Sequence, residues 1–192
     1  MGILRAAHHR TMPWKNGGGE TIEIALGPDG AALDRFDWRV SAATVGRDGP
    51  FSAFPGIDRT LCVLDGGRIE LAVGDAPPMR LDEGSPPFAF AADAACAARL
   101  VDGPITGLNV MSRRGRLTHS VRRIDLGRGI EVRASGDTVL LFSASGALAV
   151  EAGAGPVRLD ARDCLMGGGT VDWRVSAVGP AVRSFLITFH VV

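Results

Sequence analysis

Residues 12–24 read MPWKNGGGETIEI and combine tryptophan, lysine and asparagine with three consecutive glycines. A run of glycines is typical of a tight turn, because glycine readily adopts the positive φ that such turns require. Beyond the turn, Thr21 and Glu23 alternate with two isoleucines, which predicts a β-strand with two different faces. The stretch is therefore either a plain turn into a strand or a place where the backbone approaches a ligand. In the second case the residues on its rim are Trp14, Lys15, Asn16 and Glu23.

Short apolar runs separated by glycine and proline continue along the whole chain. The 26 glycines and 11 prolines fall mainly between these runs, a distribution typical of all-β sandwiches and barrels. The run 36–45 alternates clearly, so that one face is apolar and the other carries Arg39 and Ser41. We therefore expect an all-β protein.

An internal repeat predicts how these strands are organised. Two segments about 78 residues apart share a similar order of apolar, glycine and polar residues. They are TLCVLDGGRIELAVGDAPPMRLD at 60–82 and TVLLFSASGALAVEAGAGPVRLD at 138–160. The repeat predicts two tandem antiparallel β-barrels in one compact chain, one over 1–115 and the other over 116–192. The hexapeptide DWRVSA also occurs twice, at 37–42 and 172–177, but at a different spacing, so it does not belong to the same duplication.

Composition and charge exclude several classes of partner. Lys plus Arg and Asp plus Glu both number 21, giving no formal net charge, and no basic block indicates nucleic acid or a membrane surface as a partner. No apolar run has the length of a signal peptide or a transmembrane span, so we expect a cytoplasmic protein. A homodimer is left open. Widely spaced cysteines in apolar surroundings favour reduced, packed thiols, at Cys62, Cys96 and Cys164.

Five motifs occur in a fixed order, namely WKNGGGET, WRVSAA, GPFSAFPGIDR, FAFAAD and LNVMSRR. Together they resemble the HutD/Ves family, bicupins associated with histidine utilisation, over roughly residues 5–125. The resemblance implies a bicupin architecture, with a degenerate second barrel, in a cytoplasmic protein. It also implies a governing or regulatory role in histidine utilisation through binding of a small molecule. It does not imply a settled catalytic activity.

The resemblance to cupins can be compared with the metal-binding frame that many of them carry. That frame is a glycine, five residues, His-x-His, four residues, Glu, six residues and a second glycine. Its positions in this chain are Gly46, Ser52, Phe54, Arg59 and Gly66. Neither phenylalanine nor an arginine that stays protonated binds a divalent cation. The histidines, which also lack paired ligand spacing, are His8, His9, His119 and His190. We therefore expect no metal and no other cofactor.

A fixed positive charge at the place of a metal predicts an anionic ligand. The guanidinium of Arg59 offers a fork of N–H donors that matches a carboxylate, and such bonds strengthen in a partly desolvated cavity. In the alternative interpretation a protein carboxylate pairs with Arg59, the candidates being Asp58, Asp93 and Glu23. Ser52 and Phe54 are expected on one strand face, with Phe51 on the other. The other candidate ligand-binding residues are Trp14, Lys15, Asn16, Glu23, Phe88, Asn109 and Met111.

Two functions are compatible with this pattern, and the sequence favours the first. The first is binding of a small anionic carboxylate metabolite, such as urocanate or a formylated or formiminated glutamate. The second is a metal-independent isomerase or hydrolase acting on a small organic acid. Such an enzyme needs a general acid or base, for which Glu23 is the best candidate and Lys15 the next. A regulator that binds another protein is a third class.

Overall fold

The computed structural model describes residues 1–14, 17–32, 35–127, 129–153 and 155–192, and β-strands dominate them. In chain order the strands are β1 (Gly2–Leu4), β2 (Arg10–Pro13), β3 (Gly19–Gly27), β4 (Trp38–Val45), β5 (Gly49–Pro50), β6 (Ile57–Gly66), β7 (Ile69–Val73), β8 (Met79–Leu81), β9 (Phe88–Ala91), β10 (Cys96–Leu100), β11 (Ile105–Arg113), β12 (Leu117–Leu126), β13 (Ile130–Ser143), β14 (Leu148–Ala152), β15 (Gly155–Leu159), β16 (Cys164–Ala177) and β17 (Val182–Val191). A short 3-10 turn covers Ala6–His8. The prediction of an all-β chain is confirmed. No described helix is long and apolar enough to cross a membrane.

One compact unit consists of Arg10–Thr118. It contains sheet I, with strand order β2-β3-β4-β11-β6-β9, and sheet II, with strand order β5-β10-β7-β8. Val45 and Leu61 of sheet I belong to one apolar cluster with Leu71 and Ala98 of sheet II. The alternation of apolar and polar residues along each strand places these side chains on the inner faces of the two sheets.

The other unit consists of Met1–His9 together with His119–Val192. Its strands form sheet III, with order β12-β17-β13-β16-β14-β15, and β1 adds to β16 through the pair Gly2 and Met166. The expected division into 1–115 and 116–192 therefore differs from these units at the N-terminus. The difference arises because β1 finds its backbone partners in β16, a pairing that a local pattern does not reveal.

The sequence repeat corresponds to a pair of similar hairpins. In the first, β7 pairs with β8 so that Ile69 lies opposite Leu81. In the second, β14 pairs with β15 so that Leu148 lies opposite Leu159. All four residues are buried, so each hairpin contains a buried apolar cross-strand pair, although Leu148 corresponds in the repeat to Leu71, which pairs with Met79.

A buried carboxylate holds the N-terminal segment in its unit. Asp163 is only 3% exposed and accepts hydrogen bonds from Arg5 Nη1 at 2.7 Å and from the backbone N–H of Ala6 at 2.8 Å. The backbone N–H of Asp160 also donates to it, at 3.0 Å. Burial alone would raise the pKa of Asp163, but these hydrogen bonds together hold it below its ordinary value of 3.8.

These hydrogen bonds predict that the wild type is more stable than Asp163→Asn at neutral pH and that the difference disappears in acid. Asp163→Asn should lower the free energy of unfolding by about 1.5 kcal/mol at pH 7, because the charge-assisted bonds are lost. The folded pKa lies below the unfolded one, so the contribution is complete above the unfolded pKa and is lost as pH falls through the folded value. Urea denaturation between pH 7 and pH 2.5 measures it. Asp172→Asn, at an exposed ion pair, is the control. An equal loss for Asp163→Asn at both pH values would contradict this account.

Candidate functional site

A cavity of about 470 Å³ opens on one face of sheet I. Its walls come from β2, β3, β4, β6 and β11, together with the segment 50–54 and Trp14. The apolar part of the lining includes Met12, Trp14, Phe51, Phe54, Leu61 and Met111. The polar part consists of Thr21, Arg39, Ser41, Ser52, Arg59 and Asn109. A mostly apolar concave site with a few convergent polar groups is the usual form of a small-molecule pocket.

The register of sheet I brings the polar side chains together. Met111 of β11 lies opposite Arg39 of β4 and opposite Arg59 of β6. Two residues earlier on β11, Asn109 lies opposite Ser41. Residues that lie opposite each other in an antiparallel ladder share a face. Two arginines therefore flank Met111 on the cavity face, with a hydroxyl and an amide in the next row.

Arg59 is almost completely buried, at 7% exposure. Its Nε donates a hydrogen bond to Asn109 Oδ1 at 2.8 Å, and its Nη2 donates to the same oxygen. The guanidinium carbon lies 4.6 Å from the centre of the Phe51 ring and 5.6 Å from that of Phe90. Aromatic faces attract cations at these distances. The guanidinium is thus fixed in orientation by an amide and two rings.

The charge of Arg59 survives burial. Desolvation lowers the pKa of Arg59 to about 10, the Cys96 thiol opposes this shift, and the positive charge of Arg39 adds to it. A group with this pKa remains protonated at neutral pH. The influence of Arg39 also indicates that the two guanidinium groups share one environment.

Two of the carboxylates proposed as internal partners of Arg59 pair elsewhere. Asp58 accepts from Arg114 at 2.7 Å, and Asp93 accepts from the same guanidinium at 3.0 Å. Across the described ranges, no carboxylate forms an ion pair with Arg59. Its hydrogen-bond partner is the neutral amide of Asn109, which leaves the positive charge uncompensated.

Glu23, the third proposed partner, pairs with Arg39 instead. Arg39 is 4% exposed, and its Nε donates to Glu23 Oε2 at 2.9 Å. Glu23 itself is not among the residues that line the cavity. Arg39 was missing from the predicted site, although the alternation in β4 had placed it on one face with Ser41. That alternation was the signal that could have identified Arg39 as a site residue.

The segment around Ser52 differs from the expectation. Residues 51–54 form no strand, because the N–H of Phe51 bonds to Cys96 O and that of Phe54 bonds to Ala92 O. The segment therefore crosses from the end of one sheet to the end of the other, and strand alternation does not apply. Phe51, expected to point away from Ser52 and Phe54, lines the cavity with both.

The remaining predicted site residues fall into three groups. Asn109, Met111 and Trp14 line the cavity, and Trp14 Nε1 donates to Thr21 Oγ1 at 2.8 Å. Phe88 is not among the lining residues and stacks on Phe90 in the apolar cluster, with ring centres 5.8 Å apart. Two predicted residues lie outside the described part of the chain, Lys15 and Asn16.

The lining offers hydrogen-bond donors that the protein does not use. Among the described residues, nothing accepts from Arg59 Nη1, from Asn109 Nδ2 or from the Nη groups of Arg39. Donors around a net positive charge can hold an anion, and the carboxylate of a small acid matches the guanidinium fork. Within the described ranges, no group of three or more His, Cys, Asp or Glu residues could hold a metal ion.

The fold belongs to a known structural class. The cupin 2 conserved barrel domain protein of Leptotrichia buccalis superposes with a TM-score of 0.60 at 10% identity, covering 96% of this chain and 99% of that one. A likeness at this identity concerns the fold alone. The chain is therefore a cupin-like all-β protein with a cavity lined in part by two arginines.

The chain belongs to the HutD family, whose model matches residues 6–182. It is 38% identical over 164 residues to a 21.2 kDa protein from the hutC 3' region of Pseudomonas putida, covering 85% of this chain and 84% of that protein. Protein Ves of Citrobacter koseri is 40% identical over 120 residues, 60% of this chain and 61% of that protein. The structure of HutD from Pseudomonas fluorescens SBW25 superposes with a TM-score of 0.84 at 31% identity, covering 100% of this chain and 98% of that one.

Proposed function

We propose that this protein binds a small anionic carboxylate metabolite in the cavity on sheet I and governs histidine utilisation through that binding. The observation that carries the proposal is the buried, charged Arg59, whose hydrogen-bond partner is the neutral Asn109. Membership of the HutD family and a relative from the hutC 3' region support the metabolic assignment.

An uncompensated charge in a cavity favours a ligand of opposite sign. Burial of an unpaired ion is costly, and a carboxylate that bonds to Arg59 Nη1 would offset that cost. Asn109 Nδ2 is positioned on the same face to donate a further hydrogen bond. Aromatic walls from Trp14, Phe51 and Phe54 suit a flat or slender organic body. Urocanate and formylated or formiminated glutamate are therefore the first ligands to test.

Isothermal calorimetry with these acids tests the proposal. Arg59→Met should weaken binding at least about thirtyfold, since removal of one partner from a desolvated charge pair costs several kcal/mol. Arg99→Met is the matched control, because Arg99 is an exposed arginine paired with Glu70, and it should bind as the wild type does. Absence of binding by the wild type, or equal binding by Arg59→Met, would refute the proposal.

We propose three further features of this protein: a bicupin fold, a cytoplasmic location and action without a cofactor. We propose that the unit Arg10–Thr118 is a cupin-like barrel that carries the pocket, and that His119–Val192 forms a degenerate second barrel, giving a bicupin. The protein is proposed to act in the cytoplasm without a metal or other cofactor. A metal-independent enzyme gains no support from Glu23, the candidate acid or base, because this carboxylate is bonded to Arg39.

A further inference from the structure

The cavity on sheet I continues along β11 beyond the row that contains Asn109. Gly107 lies two residues from Asn109 on the same face of β11, about 7 Å away along the strand. It lies opposite Ala43 of β4, and both residues are buried and line the cavity. Val45 and Leu61 also line this end, and their side chains are apolar. Ala43, Val45, Leu61 and Gly107 together form what we call the apolar slot.

The backbone does not require a glycine at position 107. Gly107 does not have a positive φ, and β11 pairs regularly with β4 on either side of it. The bulge beside it places its extra residue, Leu64, in β6 and not in β11. Glycine inside a strand packs no side chain and weakens the strand, and it often marks a place that a ligand approaches closely. This glycine therefore indicates that the space beside the strand is needed.

The length of the cavity depends on the missing side chain of Gly107. A Cβ atom at this position would lie 2.8 Å from Leu61 Cδ1 and 3.5 Å from Ile105 Cδ1. The first distance is too short for two carbon atoms, so Leu61 would have to move. Leu61 is 1% exposed and belongs to a packed apolar cluster, so the room open to it is the cavity itself. A side chain at position 107 would thus shorten the cavity.

We infer that Gly107 and Ala43 are specificity-determining residues that give the cavity its length, so that it takes an acid with an extended carbon skeleton. This inference rests on the proposed function. With the carboxylate bonded to Arg59, the skeleton of the acid lies along β11 and enters the apolar slot. A two-carbon acid would not reach the slot. Urocanate and the formylated or formiminated glutamates all have longer skeletons, so all of them fit the inference.

Straight-chain acids separate the effect of length from that of charge. Acetate, butyrate and hexanoate each carry one carboxylate and differ in the number of methylene groups. Each methylene buried in the slot should tighten binding about fourfold. The wild type should therefore bind hexanoate at least about thirtyfold more tightly than acetate, with butyrate between them. NMR titration measures these affinities, including the weak one for acetate.

Two variants shorten the slot from opposite walls, Gly107→Ala and Ala43→Val. Each should weaken hexanoate binding about tenfold, the effect of a methyl-sized overlap. Acetate binding should stay within about twofold of the wild type, because Arg59 lies two rows away along the sheet. Retained acetate binding also shows that a variant is folded, and one folded slot variant is sufficient for the test.

Thr106→Val is the matched control for these variants. Thr106 is the neighbour of Gly107 on β11, lies opposite Thr44 on the other face of the strand, and is not among the residues that line the cavity. The control substitution alters the same part of β11 without changing the slot. It should bind both acetate and hexanoate as the wild type does.

Failure of this inference is distinguishable from failure of the proposed function. Equal affinity of the wild type for acetate and hexanoate would overturn the inference, and so would unchanged hexanoate binding by a folded slot variant. An equal loss of both acids in the slot variants would overturn it as well, since the effect would not depend on length. If the wild type binds none of the three acids, the inference is overturned, and the calorimetric titrations of Arg59→Met decide the proposed function separately.

Discussion

Replacement of Asn109 with aspartate is expected to weaken carboxylate binding by at least about a hundredfold while leaving the protein no less stable. Asn109 Oδ1 already accepts two hydrogen bonds from Arg59. An aspartate has the same shape and the same acceptor, but it adds a negative charge next to the guanidinium. The variant would thus supply the internal counter-ion that Arg59 lacks and would place a like charge where the ligand carboxylate binds.

The stability of the same variant separates this account from simple damage to the site. A carboxylate that pairs with a buried guanidinium should raise the free energy of unfolding by about 1 kcal/mol, because Arg59 is buried with or without it. Urea denaturation and calorimetry on one preparation measure both effects. Thr118→Asp, at an exposed position, adds the same charge outside the cavity and should change neither. Retention of wild-type affinity by Asn109→Asp would exclude Arg59 as the anchor.

The two copies of one hexapeptide show that a local sequence can determine a strand without determining how deeply its side chains are buried. In DWRVSA at 37–42, both faces of β4 are covered and Arg39 is buried. In DWRVSA at 172–177, one face of β16 is open and Arg174 is exposed. From its tryptophan onward, the hexapeptide lies in a β-strand in both places. The environment of its arginine depends on neighbouring strands, which lie far away in the sequence.

The candidate site was predictable where strand alternation holds. Alternation along β11 placed Asn109 and Met111 on one face, and both line the cavity. It failed at Phe51, in a segment that crosses between sheets and has no alternation to follow. The sequence also could not predict that Glu23 pairs with Arg39, because the register between β3 and β4 determines this pairing.

Gly19, the last glycine of the glycine-rich stretch, allows a close approach of backbone to backbone. A Cβ atom on Gly19 would lie 1.9 Å from the backbone oxygen of Thr44, and 3.3 Å from Cε3 of Trp14. Gly19 is the first residue of β3 and pairs with Val45. Its backbone oxygen also accepts from the N–H of Trp14 at 2.9 Å. A side chain here would therefore displace the strand edge that holds Trp14 over the cavity.

Gly19→Ala should therefore lower the free energy of unfolding by about 3 kcal/mol, the cost of forcing a methyl group against fixed backbone. Ligand affinity should fall with it, because Trp14 and Thr21, which share a hydrogen bond on the cavity wall, lie on the displaced segment. Gly127→Ala, where an added Cβ meets no atom within 4 Å, is the control and should change stability by less than about 0.5 kcal/mol. If the two variants unfold at the same urea concentration, β3 and β4 are not held as closely as Gly19 requires, and the turn is not what positions Trp14.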